Sequence, residues 1–167
     1  RFKSSRAKYS LKDKIIQAYD VKIIKVADAA IYPGDGDVTI LKKAEMVPLE
    51  NAQILANTTT KYHTISNCKV YIQGANSYSS DGFYDYIDEM EGVQRIYLSE
   101  IKVDSTLQTR GQGHISDSAG FTLSPYFDYS GKVNLIASQQ FLNFDGGVRV
   151  HHNCDTLVNQ WLQFNAY

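Results

Sequence analysis

The sequence has little cysteine, proline, methionine or tryptophan. The scarcity of cysteine limits the redox and metal-binding motifs that the chain can form. Its 167 residues include two cysteines, three prolines, two methionines and one tryptophan. The cysteines, Cys68 and Cys154, stand too far apart for a CxxC redox motif or a zinc-binding cysteine pair. No stretch approaches the roughly 20 apolar residues that a membrane-spanning helix needs. The sequence therefore predicts no transmembrane segment and no local redox motif.

Net charge is also small, because 17 basic residues face 18 acidic ones. A nearly neutral chain lacks the electrostatic attraction on which nucleic-acid binding depends, so no nucleic-acid partner is predicted. The charge is uneven, however, since the first 25 residues contain eight basic residues and two acidic ones. This region is interpreted either as a basic arm for phosphate or lipid headgroups, or as a solvated strand edge whose lysines oppose aggregation. The interleaved Ile15 and Ile23 favour the second interpretation.

The residues that are plentiful favour strands. Twelve tyrosines accompany many Val, Ile and Thr residues, and these types suit a pleated surface that is half buried and half wet. Apolar residues alternate along several segments, as in Val133, Leu135 and Ala137. The sequence predicts an all-β domain, either a β-solenoid of stacked strands or a curved two-sheet β-sandwich or jellyroll.

The domain organisation follows from glycines and polar breaks. Residues 1–14 are predicted to be a basic, loosely ordered segment, and residues 15–167 a single all-β domain. Three loose strand-and-turn units are centred on Gly36, Gly82 and Gly131, with apolar or aromatic residues two and four positions after each glycine. Ser130-Gly131 is predicted to be a turn. Because the chain opens on Arg1 without a methionine, it is interpreted as a piece of a longer protein.

Exposed aromatic residues are the best functional lead in the sequence. Flat rings on a β face can stack on sugar rings or anchor a protein partner. The alternative is that tyrosines at alternate strand positions simply cover the sheet. The candidate ligand-binding residues are Tyr71, Tyr78, Tyr84, Tyr86 and Tyr97.

Histidine and cysteine give only a weak metal signal. His152 and Cys154 would share one side of a strand and supply two ligands, whereas zinc usually takes three or four. His63 or His114 would have to complete such a site through the fold, so structural roles are favoured. Cys68 and Cys154 are either a disulfide or two buried thiols, and the sequence leaves both open.

No enzyme signature is present. Glu50, Asp85, Glu100 and Asp104 could serve a glycosidase, but nothing in the sequence marks a pair of them. The G-x-S-x-G elbow of serine hydrolases is absent. No motif predicts a cofactor.

Three segments carry a family resemblance: AAIYPGDGDVTILKKAEMVPLENAQILANTTTKYHTISNC, YIQGANSYSSDGFYDYIDE and FTLSPYFDYSGKVNLIAS. They resemble repeated β units of large secreted or envelope-associated bacterial proteins. The short strands with Gly and Asn turns are also similar to the OstA-type β-taco or jellyroll folds of lipopolysaccharide transport. The resemblance implies an all-β architecture and an extracytoplasmic location, and it makes pairing of the two cysteines in an oxidising space more plausible.

These observations support several hypotheses about function. The leading one is a non-enzymatic structural or interaction module of a secreted or envelope protein. The alternatives are a carbohydrate-binding module using surface tyrosines, a polysaccharide-acting enzyme on a β-helix, and an open β groove that carries lipid. The enzyme hypothesis predicts clustered carboxylates in a groove.

Overall fold

The protein is built almost entirely of strands, as the sequence predicts. The computed structural model describes residues 2–150, 152 and 159–166. Within these residues the helical segments are two short 3-10 turns, Lys42–Ala44 and Asp117–Ala119. The strands are β1 (Arg6–Ser10), β2 (Ile15–Tyr19), β3 (Ile24–Val26), β4 (Ala29–Tyr32), β5 (Val38–Ile40), β6 (Leu49–Leu55), β7 (Thr64–Ile72), β8 (Tyr78–Ile87), β9 (Val93–Val103), β10 (Thr109–Ile115), β11 (Thr122–Ser124), β12 (Phe127–Ile136), β13 (Asn143–Val150) and β14 (Leu162–Ala166).

One large antiparallel sheet forms most of the molecule. Its 11 strands follow the order β14-β13-β12-β10-β9-β8-β7-β6-β4-β3, with β11 attached to β12. Apart from the short excursions of β5 and β11, successive strands are neighbours, which makes the sheet a meander. The sheet curls into a half-barrel. A second sheet of three strands, β1-β2-β5, stands beside it.

The concave face of the curled sheet holds the core. Along β10 buried and exposed residues alternate without a break from Thr109 to Ile115, the period of two that a strand with one dry face requires. Ile101, Val133 and Leu135 are completely buried. The predicted alternation of apolar residues into a dry interior is therefore confirmed.

Bulges bend the sheet in its middle. Gly82 in β8 faces both Asn67 and Cys68 in β7, because Ser66 pairs with Phe83 and Lys69 with Asp81. Asn67 adopts a positive φ of 51°, which asparagine tolerates better than most residues. An extra residue on one strand increases the local twist and bends that strand. The bulge therefore contributes to the curl.

Two of the predicted glycine turns are wrong. Gly82 lies inside β8, and Ser130-Gly131 lies inside β12, where Gly131 pairs with Gly146 of β13. Both glycines allow atoms of the neighbouring strand to approach closely. A Cβ on Gly82 would lie 2.6 Å from the Cys68 sulfur, and a Cβ on Gly131 would lie 2.5 Å from the Gly146 Cα. Gly36 does occupy a positive-φ position between strands, as expected.

Part of the basic segment 1–14 forms regular structure. Arg6–Ser10 makes up β1, which pairs antiparallel with β2 along five residues. The prediction of a loosely ordered segment did not include this strand. Its residues are nearly all exposed, so it lacks the alternating apolar pattern by which strands are recognised.

A buried polar network fastens one end of the half-barrel. The turn after β3 brings Asp28 to Thr109 at the start of β10, although five strands separate β3 from β10 in the sheet. The Thr109 amide donates to Asp28 Oδ2 at 3.0 Å, and the Thr109 hydroxyl donates to Oδ1 at 2.6 Å. The Tyr78 hydroxyl lies 2.8 Å from the Thr109 oxygen and donates to it, because the threonine proton is already committed to Asp28.

His63 closes the sheet at a second point, between the β6–β7 and β12–β13 connections. Its Nε2 lies 2.6 Å from the Gln139 carbonyl oxygen and its Nδ1 3.2 Å from the Tyr84 hydroxyl. A carbonyl only accepts, so Nε2 carries the proton and Nδ1 accepts from Tyr84. The ring is buried and neutral, and both of its nitrogens are satisfied.

Acidification is expected to destabilise the protein through His63. Burial lowers the pKa of His63 below the ordinary 6.5. The histidine of the unfolded chain therefore binds a proton more readily than that of the folded chain. Stability that is present above pH 6.5 is lost as the pH falls below this value. One such proton accounts for at most about 1.4 kcal/mol per pH unit. Urea unfolding across this pH range should show the slope, and His63→Gln should flatten it.

The exposed histidine of β10 supplies the matched control. His114→Gln makes the same substitution at an exposed imidazole, and it shows how far loss of a histidine elsewhere in the chain alters the slope of the unfolding free energy against pH. Equal slopes for the wild type and His63→Gln would contradict the assignment of that slope to His63.

Candidate functional site

A groove crosses the outer face of β7, β8 and β9. It encloses about 430 Å³ and is lined by Lys69, Tyr71, Ser79, Ser80, Asp81, Tyr97, Ser99, Glu100, Ile101 and Lys102. Tyr71 is 43% exposed and Tyr97 45% exposed. Both face outward because their strand neighbours face the core: Val70 beside Tyr71, and Ile96 and Leu98 beside Tyr97. The groove thus combines two accessible rings with many polar groups.

The Tyr97 ring is fixed in position by its neighbours. Its hydroxyl donates to Asp81 Oδ2 at 2.6 Å, and this hydrogen bond raises the pKa of Tyr97. Its ring packs against Phe83, with 5.2 Å between the centroids. The Arg95 guanidinium lies 5.8 Å above the Phe83 ring and also donates to Asp85 at 3.0 Å. A ring held on two sides loses little freedom when a ligand stacks on it.

Tyr71 stands on the other side of the same groove, beside an ion pair. The Lys69 ammonium lies 5.9 Å from the Tyr71 ring centroid and 2.9 Å from Glu50 Oε1. Hydrogen bonding and attraction to Glu50 raise the pKa of Lys69. Across the sheet Tyr71 pairs with Ser79, and Ser79 pairs with Lys102. Serine hydroxyls and charged groups therefore follow one row from Tyr71 to β9.

A bulge in β9 shapes the floor of the groove. Ser80 pairs with Ile101 and Gly82 with Leu98, so that Asp81 faces two residues, Ser99 and Glu100. Glu100 in turn accepts from the Lys102 ammonium at 2.7 Å. Lys69 and Lys102 are each paired with a glutamate. The groove consequently offers both hydrogen-bond donors and acceptors and has no excess of positive charge.

The other predicted tyrosines point into the half-barrel and not onto its surface. Tyr78 is only 1% exposed, so its assignment to a surface site is wrong. Tyr84 is half-buried and contacts His63, and Tyr86 is half-buried and packs 5.3 Å from Phe121. The five candidates therefore divide into an exposed pair, Tyr71 and Tyr97, and three inward-facing residues.

Aromatic residues crowd one mouth of the half-barrel. Tyr86, Phe121, Tyr129 and Phe144 make ring contacts with centroid distances between 5.0 and 6.4 Å. Burial raises the pKa of Tyr129 to about 12. A cavity of about 620 Å³ opens above this cluster, against Phe164 of β14. A lipid carried inside the open β groove of the half-barrel would have to enter here, and the rings already fill the space beneath this cavity.

Each of the four candidate carboxylates forms an ion pair. Glu50 pairs with Lys69, Asp85 with Arg95, Glu100 with Lys102, and Asp104 with Arg110. Hydrogen bonds from Thr106 and Arg110 lower the pKa of Asp104, the opposite of what a general acid needs. Each carboxylate thus has its own basic partner, whereas a glycosidase needs two carboxylates placed on either side of one bond.

The described residues assemble no metal centre. Among them no group of three or more His, Cys, Asp or Glu side chains lies close enough to bind an ion. Both ring nitrogens of His63 are engaged in hydrogen bonds, and His114 is exposed on β10. His152 is half-buried, while its proposed co-ligand Cys154 lies outside the described residues. The pair stays a prediction.

Cys68 is a buried thiol in the sheet interior. It is completely buried, and it forms no disulfide within the described part of the chain. Burial raises the pKa of Cys68 to about 12, which suppresses the reactive thiolate. Cys68 therefore acts as a core residue opposite Gly82. Its predicted pairing with Cys154 falls on a residue that the structure does not describe.

Comparison with protein-family models, curated proteins and solved structures finds no match for this chain. The described residues also contain no helix long and apolar enough to cross a membrane.

Sequence reasoning found the two rings of the groove but missed its polar partners. Lys69, Ser79, Asp81 and Lys102 come from three strands and meet only because of their register. One signal was available: Lys69 and Tyr71 are two residues apart on one strand and must share a face. No comparable local signal links them to Asp81 or Lys102.

Proposed function

We propose that this protein is a non-enzymatic binding module whose outer groove recognises a saccharide. The observation that carries the proposal is the placement of Tyr71 and Tyr97, both exposed, around one polar groove. The C–H faces of a sugar ring are apolar and pack on aromatic faces, while its hydroxyls need donors and acceptors at the rim. The serines, lysines and carboxylates of the groove supply both.

The charge balance of the groove favours a neutral sugar chain. Lys69 and Lys102 are already paired with Glu50 and Glu100, and Asp81 is engaged by Tyr97. A sugar hydroxyl can bridge such pairs because it donates and accepts at once. An acidic sugar would have to compete with glutamates for both lysines.

The rigid meander suits a module that presents this groove from a larger assembly. We further propose that it works outside the cytoplasm, in a secreted or envelope protein, on the basis of the resemblance of its strand-and-turn segments. Fractionation of the source cells, followed by immunodetection of this chain, tests the location. Recovery in the cytoplasmic fraction would contradict it.

Titration of the protein with a panel of neutral oligosaccharides, followed by NMR, tests the binding function. We expect the ring resonances of Tyr71 and Tyr97 to shift together and to saturate. The resonances of Tyr78, buried on the other face, should not move. Absence of any tyrosine shift across a broad panel would contradict saccharide binding.

Substitution of either groove tyrosine is expected to weaken that binding. Tyr71→Ala and Tyr97→Ala each remove one stacking surface, and we expect affinity for the selected oligosaccharide to fall about tenfold, or about 1.4 kcal/mol. Tyr126→Ala is the control, because Tyr126 is even more exposed than the two groove tyrosines, at 69%, but lies outside the groove. Calorimetric affinities that fall equally in all three variants would contradict the assignment.

A further inference from the structure

A second cleft lies between the N-terminal segment and the chain just before β3. It has a volume of about 720 Å³, and its lining is mostly apolar. Phe2 and Ile23, both half-buried, contribute apolar side chains, and Phe2 forms an isolated antiparallel bridge with Ile24. The volume falls within the range of small-molecule sites, roughly 300–1,000 Å³. The cleft is separate from the tyrosine groove.

Three lysines surround this apolar cleft: Lys3, Lys22 and Lys25. All three are exposed. The described residues place no carboxylate within ion-pair distance of Lys3 or Lys22. A long lysine can lay its alkyl stem along an apolar surface and keep its ammonium in water. The rim is therefore cationic, while the lining is apolar.

The single acidic residue of the cleft is engaged locally. Asp20 accepts a short hydrogen bond from the Ser5 hydroxyl, which ties the N-terminal segment to the end of β2. Ser4 and Ser5 add hydroxyl groups to the lining. Lys3 and Lys22 alone outnumber this one carboxylate, so the rim is net positive.

Charge across the whole chain reinforces this local excess. Residues 1–25 hold eight of the 17 basic residues but two of the 18 acidic ones, so the rest of the chain is strongly acidic. An anion approaching the protein is thus repelled elsewhere and attracted here. This asymmetry is the charge complementarity that a negatively charged ligand requires.

We propose that this cleft binds a single anionic amphiphile, with its acyl chain against Phe2 and Ile23 and its phosphate or carboxylate at Lys3, Lys22 and Lys25. An apolar chain alone would leave the ammonium groups of Lys3 and Lys22 without an anionic partner. An anion without an acyl chain would leave the apolar lining of the cleft exposed to water. A molecule with both parts satisfies both halves of the site.

Calorimetry with three probes tests the proposal on the full chain. The probes are a lysophosphatidic acid below its micelle concentration, a lysophosphatidylcholine with the same acyl chain, and inorganic phosphate. We expect the lysophosphatidic acid to bind with one-to-one stoichiometry, at least tenfold more tightly than the choline lipid. Phosphate should bind more weakly still. Native mass spectrometry should show one retained lipid.

Matched variants locate the site. Lys3→Glu/Lys22→Glu/Lys25→Glu should weaken binding of the anionic lipid at least tenfold, whereas Lys42→Glu/Lys43→Glu/Lys61→Glu makes the same change in net charge elsewhere and should not. Ile23→Ser should weaken binding of both lipids and leave phosphate unaffected. Circular dichroism confirms that each variant remains folded.

Several outcomes would overturn the proposal. Phosphate that binds as tightly as the anionic lipid would mean a simple anion site. Equal affinity for the two lipids would remove the role of the lysines. Binding to phosphatidylglycerol vesicles without binding of the monomeric lipid would mean a membrane-surface patch in place of a cleft. Equal losses in the two triple variants would mean a general charge effect.

Discussion

Gly131→Val is expected to destabilise the protein by about 3–5 kcal/mol, a large share of the roughly 5–15 kcal/mol that stabilises an ordinary domain. Gly131 has a φ of +149°, and a Cβ there would lie 2.5 Å from the Gly146 Cα and 2.7 Å from the Asp145 oxygen. These are backbone atoms of the paired strand, and they cannot rotate away. The variant must separate β12 from β13 or distort both.

The glycine pair matters because an aromatic side chain fills the space it leaves. A Cβ on Gly131 would lie 2.8 Å from the Tyr129 hydroxyl oxygen, and one on Gly146 3.0 Å from it. That hydroxyl donates to the Lys132 carbonyl at 2.6 Å. The Tyr129 ring contacts Phe144 and Phe164. Side chains at the glycines would therefore displace the centre of the aromatic cluster.

Chemical unfolding of Gly131→Val and Gly74→Ala measures the effect. Gly74 is the control, because a Cβ there meets nothing within 4 Å. Gly74→Ala should change the free energy of unfolding by less than about 1 kcal/mol, and in the stabilising direction if it has an effect. A Gly131→Val protein as stable as the wild type would show that β12 and β13 do not approach as closely as described.

The all-β class could be predicted because it depends on local alternation. Val133 and Leu135 alternate with the polar Lys132 and Asn134 along β12, and both are buried. The curl of the sheet could not be predicted from the sequence, because it depends on which residues of neighbouring strands pair with each other. Gly82 looks like a turn residue in the sequence. Only pairing with β7 shows that it lies in a strand and makes room for the Cys68 sulfur.

The outward direction of the groove tyrosines was partly predictable, because it also depends on local alternation along a strand. Tyr97 lies between Ile96 and Leu98, so its outward direction follows from the sequence. Tyr78, Tyr84 and Tyr86 share a face of β8 with Ser80 and Gly82. Because small or polar residues are typical of a solvated surface, the sequence indicated that this face is exposed. Gly82 is small because the bulged strand β7 leaves no room for a side chain. A Cβ on Gly82 would lie 3.0 Å from an Ile65 methyl carbon.

The lysine-lined cleft shows a further limit of sequence reasoning. The excess of basic residues before residue 26 was visible, and the interleaved isoleucines favoured a solvated strand edge. The structure places Ile23 in an apolar cleft whose rim carries three of those lysines. That arrangement requires Phe2 to reach Ile24. A contact between residues so far apart in the chain has no local pattern.

Asp28→Ala is expected to cost about 3 kcal/mol of stability, because Asp28 joins two distant parts of the curled sheet. Its carboxylate accepts from both the amide and the hydroxyl of Thr109. Thr109 is completely buried, so removing the acceptor leaves two donors without partners, and each such loss costs roughly 1–3 kcal/mol. The Ala27 amide, which donates to Ala75 at 3.1 Å, would keep part of the turn in place.

A double-mutant cycle separates this network from general damage to the turn. Thr109→Val removes the hydroxyl but keeps the amide and the shape of the side chain. If the two groups act as a pair, Asp28→Ala/Thr109→Val should be less destabilised than the sum of the single variants. Asp117→Ala, an exposed carboxylate in a 3-10 turn, should change the free energy of unfolding by less than about 0.5 kcal/mol. Strict additivity would mean that Asp28 and Thr109 stabilise the sheet independently, and the end of the half-barrel would then be closed by apolar packing around the turn.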